Sequence, residues 1–206
     1  MSAAVGAMIA LVLFGLFGLI GLGWRTWLQR RRTGSSGLRG MGGRSGSAEW
    51  VAGLCFVVTL AVTVLGAVLQ LCGVVSPVRV LDAAGIHIAG IAVAVVGIAV
   101  MVRAQIDMGN SWRIGVDQRE TTALVRTGMF GRIRNPIYAA MLTFAFGSAL
   151  LAPNPVSILG PALALATIEL QVRRVEEPYL LAKHGDAYRG YTARVGRFIP
   201  GVGLIR

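Results

Sequence analysis

The sequence has few charged residues, and acidic ones are especially scarce. Only 14% of its 206 residues are charged, nine of those are acidic, and the mean hydropathy is +0.68. About 25% charge is usual in a soluble domain, so this composition indicates an integral membrane protein. Four stretches contain no Asp, Glu, Lys or Arg: residues 1–24, 50–78, 83–102 and 135–168.

Cysteine and histidine are also rare, with two of each. Cys55 and Cys72 are predicted to lie in one helix, where seventeen residues separate them by about 25 Å, so they cannot form a disulfide with each other. No Cys/His cluster has metal-ligand spacing, and neither a Ser–His–Asp arrangement nor a phosphate-binding loop is visible. The sequence therefore predicts no metal site, and it favours chemistry without a protein nucleophile.

The uncharged stretches predict an all-α, single-domain membrane protein with five transmembrane helices. A spanning helix needs roughly 17–25 apolar residues, so the first three stretches supply one helix each. The fourth is too long for one helix and is interrupted by Pro153 and Pro155, which predicts two short spans. The expected spans cover about residues 3–24, 50–73, 83–102, 137–152 and 156–172.

The net charge of +11 is distributed in a way that argues against nucleic-acid binding. If the five spans alternate in direction, 19 of the 20 basic residues fall on one side, and only Arg79 falls on the other. The positive-inside rule then places the N-terminus outside and the C-terminus in the cytoplasm. The first apolar run lacks a basic leading region and is predicted to be a retained anchor. The Arg- and Gly-rich composition is typical of a bacterial protein, which indicates the inner membrane.

Three connecting segments complete the predicted organisation. Residues 33–48 are rich in Gly and Ser and predict a flexible linker. Residues 103–136 form a connection far longer than two spans need, and long ordered loops are often functional. After the last span the helical pattern continues into residues 173–206 and should end near His184 and Gly185, because glycine commonly terminates a helix. In the third span, small residues at helical spacing predict close helix packing: Gly85, Ala89, Gly90, Ala94 and Gly97.

Two polar constellations flank the last hairpin. Arg134-Asn135-Pro136-Ile137-Tyr138 stands where the chain re-enters the membrane, and Asn135 with Pro136 would also suit an ordinary capped helix start. Glu169, Arg173 and Glu177 are spaced four apart near the other end of the hairpin, which also suits a structural salt-bridge ladder. Because ionisable groups at membrane depth usually face a partner or a cavity, both constellations are candidate site elements.

The order of motifs in the last third of the chain resembles the isoprenylcysteine carboxyl methyltransferase family of integral-membrane enzymes. The similarity covers residues 122–200, a little under 40% of the chain, and consists of LVRTGMFGRIRNPIY, then EEPYL, then HGDAYRGY, then VGRFIP. It implies S-adenosylmethionine-dependent methyl transfer at the cytoplasmic membrane face. No metal is implied.

The resemblance also implies roles for particular residues. Glu176 matches the glutamate associated with the cofactor, and Glu177 stands beside it. Arg173 is the nearest match to the arginine that orients the acceptor carboxylate, with Arg174 as the alternative. The cofactor-binding residues implied upstream are Thr122, Ala123, Leu124, Val125, Phe130, Asn135, Pro136, Ile137 and Tyr138.

Three departures from the family pattern affect these roles. Asn135 replaces the usual His, and an amide cannot carry a proton at neutral pH. Arg173 precedes Glu176 by three residues where four are expected, so either Arg173 or Arg174 is suitable. Phe130 lacks the hydroxyl of the usual Tyr, which leaves packing as its role.

The sequence therefore predicts methyl transfer to a carboxylate, or a similar nucleophile, of a small hydrophobic or lipid-like acceptor that reaches the site from the bilayer. A prenylated-protein acceptor is disfavoured by the bacterial composition, and the oligomeric state stays open. Two alternatives remain at this point. One is a nicotinamide-dependent membrane reductase of the sterol-reductase type, and the other is a non-catalytic membrane protein whose basic loops bind anionic lipid.

Overall fold

The structure is a computed structural model that describes residues 1–36, 44–112 and 123–205, without the side chain of Asn110. Within these residues the secondary structure is helical and contains no β-strand, which confirms the all-α prediction. The helices are α1 (Ala3–Gly18), α2 (Arg25–Thr33), α3 (Ala48–Leu71), α4 (Ala84–Met108), α5 (Pro136–Leu151), α6 (Pro155–Gln171) and α7 (Glu177–Thr192). Two π-helical turns, Leu19–Trp24 and Val172–Glu176, join α1 to α2 and α6 to α7.

Four helical stretches of the described chain are long and apolar enough to cross a membrane. They are Ala3–Thr33, Ala48–Leu71, Ala84–Met108 and Pro155–Thr192. Helix α5 is also apolar but has only 16 residues, about 24 Å of helix at 1.5 Å per residue. Helix α4 runs to Met108, beyond the uncharged stretch, because Arg103 and Asp107 form an i,i+4 ion pair on its last turns.

Helices α4 and α5 are the most closely packed pair, and small residues permit their contact. A Cβ built on Gly97 would lie 2.8 Å from the backbone nitrogen of Phe144, and one on Gly147 would lie 2.5 Å from that of Ala94. Gly90, Ala94 and Gly97 therefore form the predicted packing stripe. Gly85 and Ala89 were expected in this stripe, but both are exposed, because they lie on the other side of α4.

A buried polar junction holds the end of the bundle at which α5 turns into α6. Asn154 is fully buried and caps α6 by accepting hydrogen bonds from the backbone nitrogens of Val156 and Ser157 at 3.0 and 2.9 Å. Its amide nitrogen donates to the carbonyl oxygen of Gly66 and to the side chain of Gln70. Since every polar group here is paired, the hairpin turn is fixed against α3.

The opposite end of the bundle carries most of the described basic residues. Arg25 donates to the carbonyl oxygen of Gly109, while Arg134 and Arg197 meet at Glu177. Arg79 lies at the other end, in the turn whose Val78 nitrogen donates to Pro153. Four of the basic residues lie outside the described residues: Arg39, Arg113, Arg119 and Arg206.

The helical run of α7 is interrupted at Gly185, as the sequence predicted, and a second helical piece follows this residue. Gly185 has φ 51° and ψ −125°, a conformation that glycine adopts without the strain of a side chain. The helix resumes after this residue and continues to Thr192. Tyr188 and Tyr191, in the second piece, are both 4% exposed, and the Tyr191 hydroxyl contacts the loop that precedes α5.

Candidate functional site

The first turn of α5 and the π turn before α7 meet at one hydrogen bond. The Tyr138 hydroxyl donates to Oε1 of Glu176 at 2.5 Å. The side chain of Gln171 donates to the same oxygen at 3.2 Å. The Tyr138 ring also lies against the Phe56 ring, with centroids 6.2 Å apart. Two predicted cofactor-binding residues, Tyr138 and Glu176, are therefore in direct contact.

The charges between residues 169 and 177 do not form a continuous ladder. Arg173 pairs with Glu169, as an i,i+4 spacing predicts. Glu177 instead faces two arginines from other segments. The π turn explains the difference, because its i→i+5 bonds add a residue to the turn and rotate the following side chains away from the α6 face.

A buried ion cluster consists of Arg134, Glu177 and Arg197. Oε1 of Glu177 accepts from Arg134 Nη2 at 2.9 Å and from Arg197 Nε at 2.8 Å, while Oε2 accepts from Arg197 Nη2 at 3.0 Å. The side chains of Arg134 and Arg197 are only 2% and 9% exposed. The hydrogen bond to Glu177 raises the pKa of Arg197 above its usual value, against the lowering effect of burial.

Backbone carbonyls complete the coordination of Arg134. Its Nη1 donates to Val195 and Thr192 at 2.7 and 3.2 Å, and its Nη2 donates to Gly203 at 3.0 Å. The cluster thus joins the foot of α5, the start of α7 and the C-terminal segment. The sequence analysis included Arg134 in a candidate constellation but gave neither Arg134 nor Arg197 a role, although both belong to the motifs that carry the family resemblance.

Asn135 occupies the N-cap position of α5, but its side chain forms no capping hydrogen bond. Its Nδ2 donates instead to the carbonyl oxygen of Arg197 at 3.2 Å, which also accepts from the Asn135 backbone nitrogen at 3.1 Å. The side chain is therefore directed to the C-terminal segment rather than to its own helix. Pro136 is fully buried behind it, whereas Ile137 is half-buried.

Phe130 is buried in the short 3₁₀ turn Gly128–Gly131. Its carbonyl oxygen accepts a hydrogen bond of 2.5 Å from the Tyr191 hydroxyl. Burial raises the pKa of Tyr191 to about 12, so this hydroxyl remains a donor through the neutral range. The contact fixes the turn before the Asn135–Tyr138 segment to the second half of α7.

The predicted segment before this turn is more accessible. Ala123 is exposed, and Leu124 and Val125 are half-buried, in a stretch without regular secondary structure. Thr122 lies outside the described residues. The three described residues lead into the Gly128–Gly131 turn, which the Asp107 carboxylate holds by accepting from the Met129 nitrogen at 2.9 Å.

The two candidate acceptor-orienting arginines lie apart from the Tyr138–Glu176 contact. The Arg173 side chain is 56% exposed and paired with Glu169. Arg174 is also exposed and borders an open groove of about 540 Å³ between the start of α3 and the first half of α7. The structure thus places Arg174, and not Arg173, beside a space large enough for part of a ligand.

The donors and acceptors of the site suit an organic ligand better than a metal ion. Glu176, Tyr138 and Asn135 offer a carboxylate, a phenol and an amide, which match amino and hydroxyl groups. Arg134 Nε is buried and has no hydrogen-bond partner in the described part of the chain, so one donor is left over. Among the described residues no group of three His, Cys, Asp or Glu side chains is arranged to hold a metal. These groups fit S-adenosylmethionine, which carries an amino group and ribose hydroxyls.

Known methyltransferases are similar to parts of this chain. The profile of the phospholipid methyltransferase family matches residues 85–187, half of the chain. Protein-S-isoprenylcysteine O-methyltransferase of Dictyostelium discoideum is 29% identical over 86 residues, covering 42% of this chain and 36% of that protein. The protein of the same name from Schizosaccharomyces pombe is 35% identical over 77 residues, covering 37% and 33%. The matched segments thus span about a third of the length of these relatives.

A solved structure has the same fold over nearly the whole chain. The eukaryotic intramembrane Ras methyltransferase ICMT (isoprenylcysteine carboxyl methyltransferase) aligns with a TM-score of 0.56 and 20% sequence identity. The alignment covers 96% of this chain and 69% of that one. Helices α1 to α3, which lie before the residues matched by the family profile, therefore also belong to the shared fold.

Proposed function

The chain belongs to the phospholipid methyltransferase family, and from this premise we propose that it is an S-adenosylmethionine-dependent methyltransferase. The acceptor is a carboxylate, or a similar nucleophile, on a hydrophobic, lipid-like molecule that enters from the bilayer. The observation that carries the proposal is the 2.5 Å hydrogen bond between Tyr138 and Glu176. It joins the two family motifs that the resemblance associates with the cofactor.

The cofactor site comprises the 123–138 segment and the π turn before α7. Glu176 holds the amino group or a ribose hydroxyl of the cofactor, and Tyr138 keeps its carboxylate in place. Asn135 and the backbone of residues 122–125 provide further polar contacts, while Phe130, Pro136 and Ile137 provide packing. Glu177 was expected beside Glu176 as a ligand, but its contacts with Arg134 and Arg197 support a structural role.

Positioning and exclusion of water are the main catalytic requirements. When bound, S-adenosylmethionine supplies an electrophilic methyl group on its sulfonium. An acceptor carboxylate is already ionised at neutral pH, so neither a general base nor a metal is needed, and Asn135 need not titrate. Arg174, at the edge of the groove, or Arg173 neutralises and orients the acceptor, which an arginine does by paired hydrogen bonds.

We place this site at the cytoplasmic face of a bacterial inner membrane, in a five-span protein whose N-terminus is outside. The common location of the described basic clusters at one end of the bundle supports this orientation. Helix α5 is the fourth span in chain order and completes the five, and its short length fits a helix buried between α4 and α6. Residues 103–136 and 173–206 then form the cytoplasmic cofactor-binding segments.

Calorimetric titration of the purified full-length protein with S-adenosylmethionine tests the proposal. We expect saturable binding, weakened about 10- to 100-fold in Glu176→Gln, because a hydrogen bond to a charged group contributes about 1.5–3 kcal/mol. Tyr138→Phe should weaken binding less, since it only releases the Glu176 carboxylate. Glu169→Gln is the matched control, because Glu169 lies one helical turn before Arg173 and outside the site, and it should bind as the parent does.

Two other results would replace this function by an alternative. Saturable binding of a nicotinamide dinucleotide, with none of S-adenosylmethionine, would indicate a reductase. Binding of neither ligand would leave a non-catalytic membrane protein. Normal cofactor affinity in Glu176→Gln would refute the proposed pocket even if the protein transfers methyl groups.

A further inference from the structure

An open groove lies between the first turn of α3 and the first half of α7. Its volume is about 540 Å³. The floor is apolar and consists of Val175, Pro178 and Ala182, while Arg174 and Lys183 provide positive charge at its sides. The groove is outside the Tyr138–Glu176 contact, although Arg174 belongs to the same π turn.

The two cations of the groove are available for an external anion. Arg174 forms no ion pair with any described residue, whereas the neighbouring Arg173 is paired with Glu169. Lys183 Nζ donates to the Tyr179 hydroxyl at 2.8 Å and lies 5.2 Å from the centre of that ring, and it forms no ion pair with a described carboxylate. Glu49 on the facing wall leaves the groove with a net charge of about +1.

The groove lies at the level of the membrane surface. Three exposed tryptophans, Trp24, Trp27 and Trp50, lie where the first two long helices reach the basic end of the bundle. Exposed tryptophans are enriched at the boundary between hydrocarbon and water. Glu49 directly precedes Trp50, so the groove opens at the level where lipid headgroups lie.

We propose that this groove binds the phosphate of an anionic phospholipid from the surrounding bilayer and thereby holds the first half of α7 at the membrane surface. Arg174 and Lys183 bind the phosphodiester, and the apolar floor receives the adjoining glycerol and upper acyl carbons. A net charge of about +1 suits a singly charged phosphodiester better than a doubly charged phosphate. This inference goes beyond methyl transfer, and it holds whether or not the protein binds S-adenosylmethionine. With Arg174 bound to this lipid, Arg173 is the residue that remains to orient the methyl acceptor.

The test uses the full-length protein in neutral detergent, titrated with short-chain phosphatidylglycerol while the melting temperature is followed. Each basic residue near an anionic surface contributes roughly 1 kcal/mol, so Arg174→Gln and Lys183→Gln should each raise the apparent Kd about fivefold. Arg174→Lys should bind nearly as the parent does. Arg189→Gln is the matched control, because Arg189 is exposed on the same helix but pairs with Asp186 outside the groove.

Several outcomes would overturn the inference. One is equal stabilisation by phosphatidylcholine of the same chain length, and another is an equal loss of affinity in the Arg189→Gln control. A third is equal binding of inorganic phosphate, which would indicate a general anion site without lipid. If a charge-removing variant fails to fold, Ala182→Glu is the second test. It places a carboxylate on the exposed floor and should abolish binding of the anionic lipid while the protein without lipid melts normally.

Discussion

Replacing Glu177 by glutamine should destabilise the protein far more than the same replacement at Glu169. In Glu177→Gln the guanidinium groups of Arg134 and Arg197, 2% and 9% exposed, lose their common counter-charge. Removing one partner of a buried ion pair typically costs about 3–5 kcal/mol. We expect a cost of about 3 kcal/mol, because Arg134 keeps three backbone carbonyl acceptors and the glutamine oxygen still accepts one hydrogen bond.

The control has nearly the same chemistry in a different environment. Glu169 also pairs with an arginine, but that arginine is 56% exposed, and such pairs contribute about 1 kcal/mol at most. The free energy of unfolding is measured by reversible SDS titration in mixed micelles. A double-mutant cycle with Arg197→Gln should give a coupling energy above about 1 kcal/mol. Equal, small changes in Glu177→Gln and Glu169→Gln would refute the view that the cluster fixes the C-terminal segment.

Three further predictions concern the turn before α5, the pH dependence of stability and the topology. Gly128→Ala should destabilise the turn and weaken cofactor binding, because Gly128 has φ 60° and a Cβ there would lie 2.4 Å from an Asp107 carboxylate oxygen; a normal calorimetric affinity would contradict this. Since an unfolded tyrosine titrates near about pH 10 and burial raises the pKa of Tyr191 to about 12, its contribution to stability is complete below about pH 10 and is lost toward pH 12. In Tyr191→Phe, the free energy of unfolding should therefore depend less on pH between about pH 10 and pH 12 than it does in the parent protein. A reporter fused after Arg206 should be active only in the cytoplasm.

The apolar, uncharged stretches of the sequence predicted the helices of this protein well, because a segment that spans lipid must be both apolar and helical. The Pro153–Asn154–Pro155 interruption also predicted the turn between α5 and α6. The pattern underestimated α4, which continues to Met108 past the first charged residue. Charge marks where a helix leaves the hydrocarbon, and not where its hydrogen bonds end.

From the sequence, only site residues that lie within the family motifs could be predicted. Resemblance to the isoprenylcysteine carboxyl methyltransferase family, which the comparisons confirm, pointed to Tyr138 and Glu176, and the structure brings these two into contact. The Arg134–Glu177 pair was missed because 43 residues separate its members, and no local spacing encodes such a contact. The π turn was missed because a change in hydrogen-bond register leaves the apolar pattern of the sequence unchanged.

This π turn explains how neighbouring charged residues serve four separate contacts. Arg173 pairs with Glu169, Arg174 borders the open groove, Glu176 accepts from Tyr138, and Glu177 binds the two buried arginines. In a regular α-helix, residues 173 and 177 would share one face and pair with each other. Such a pair would take Glu177 from its buried partners and leave Arg134 and Arg197 without a counter-charge. The added residue in the turn therefore permits the ion cluster and the Tyr138–Glu176 contact to exist together.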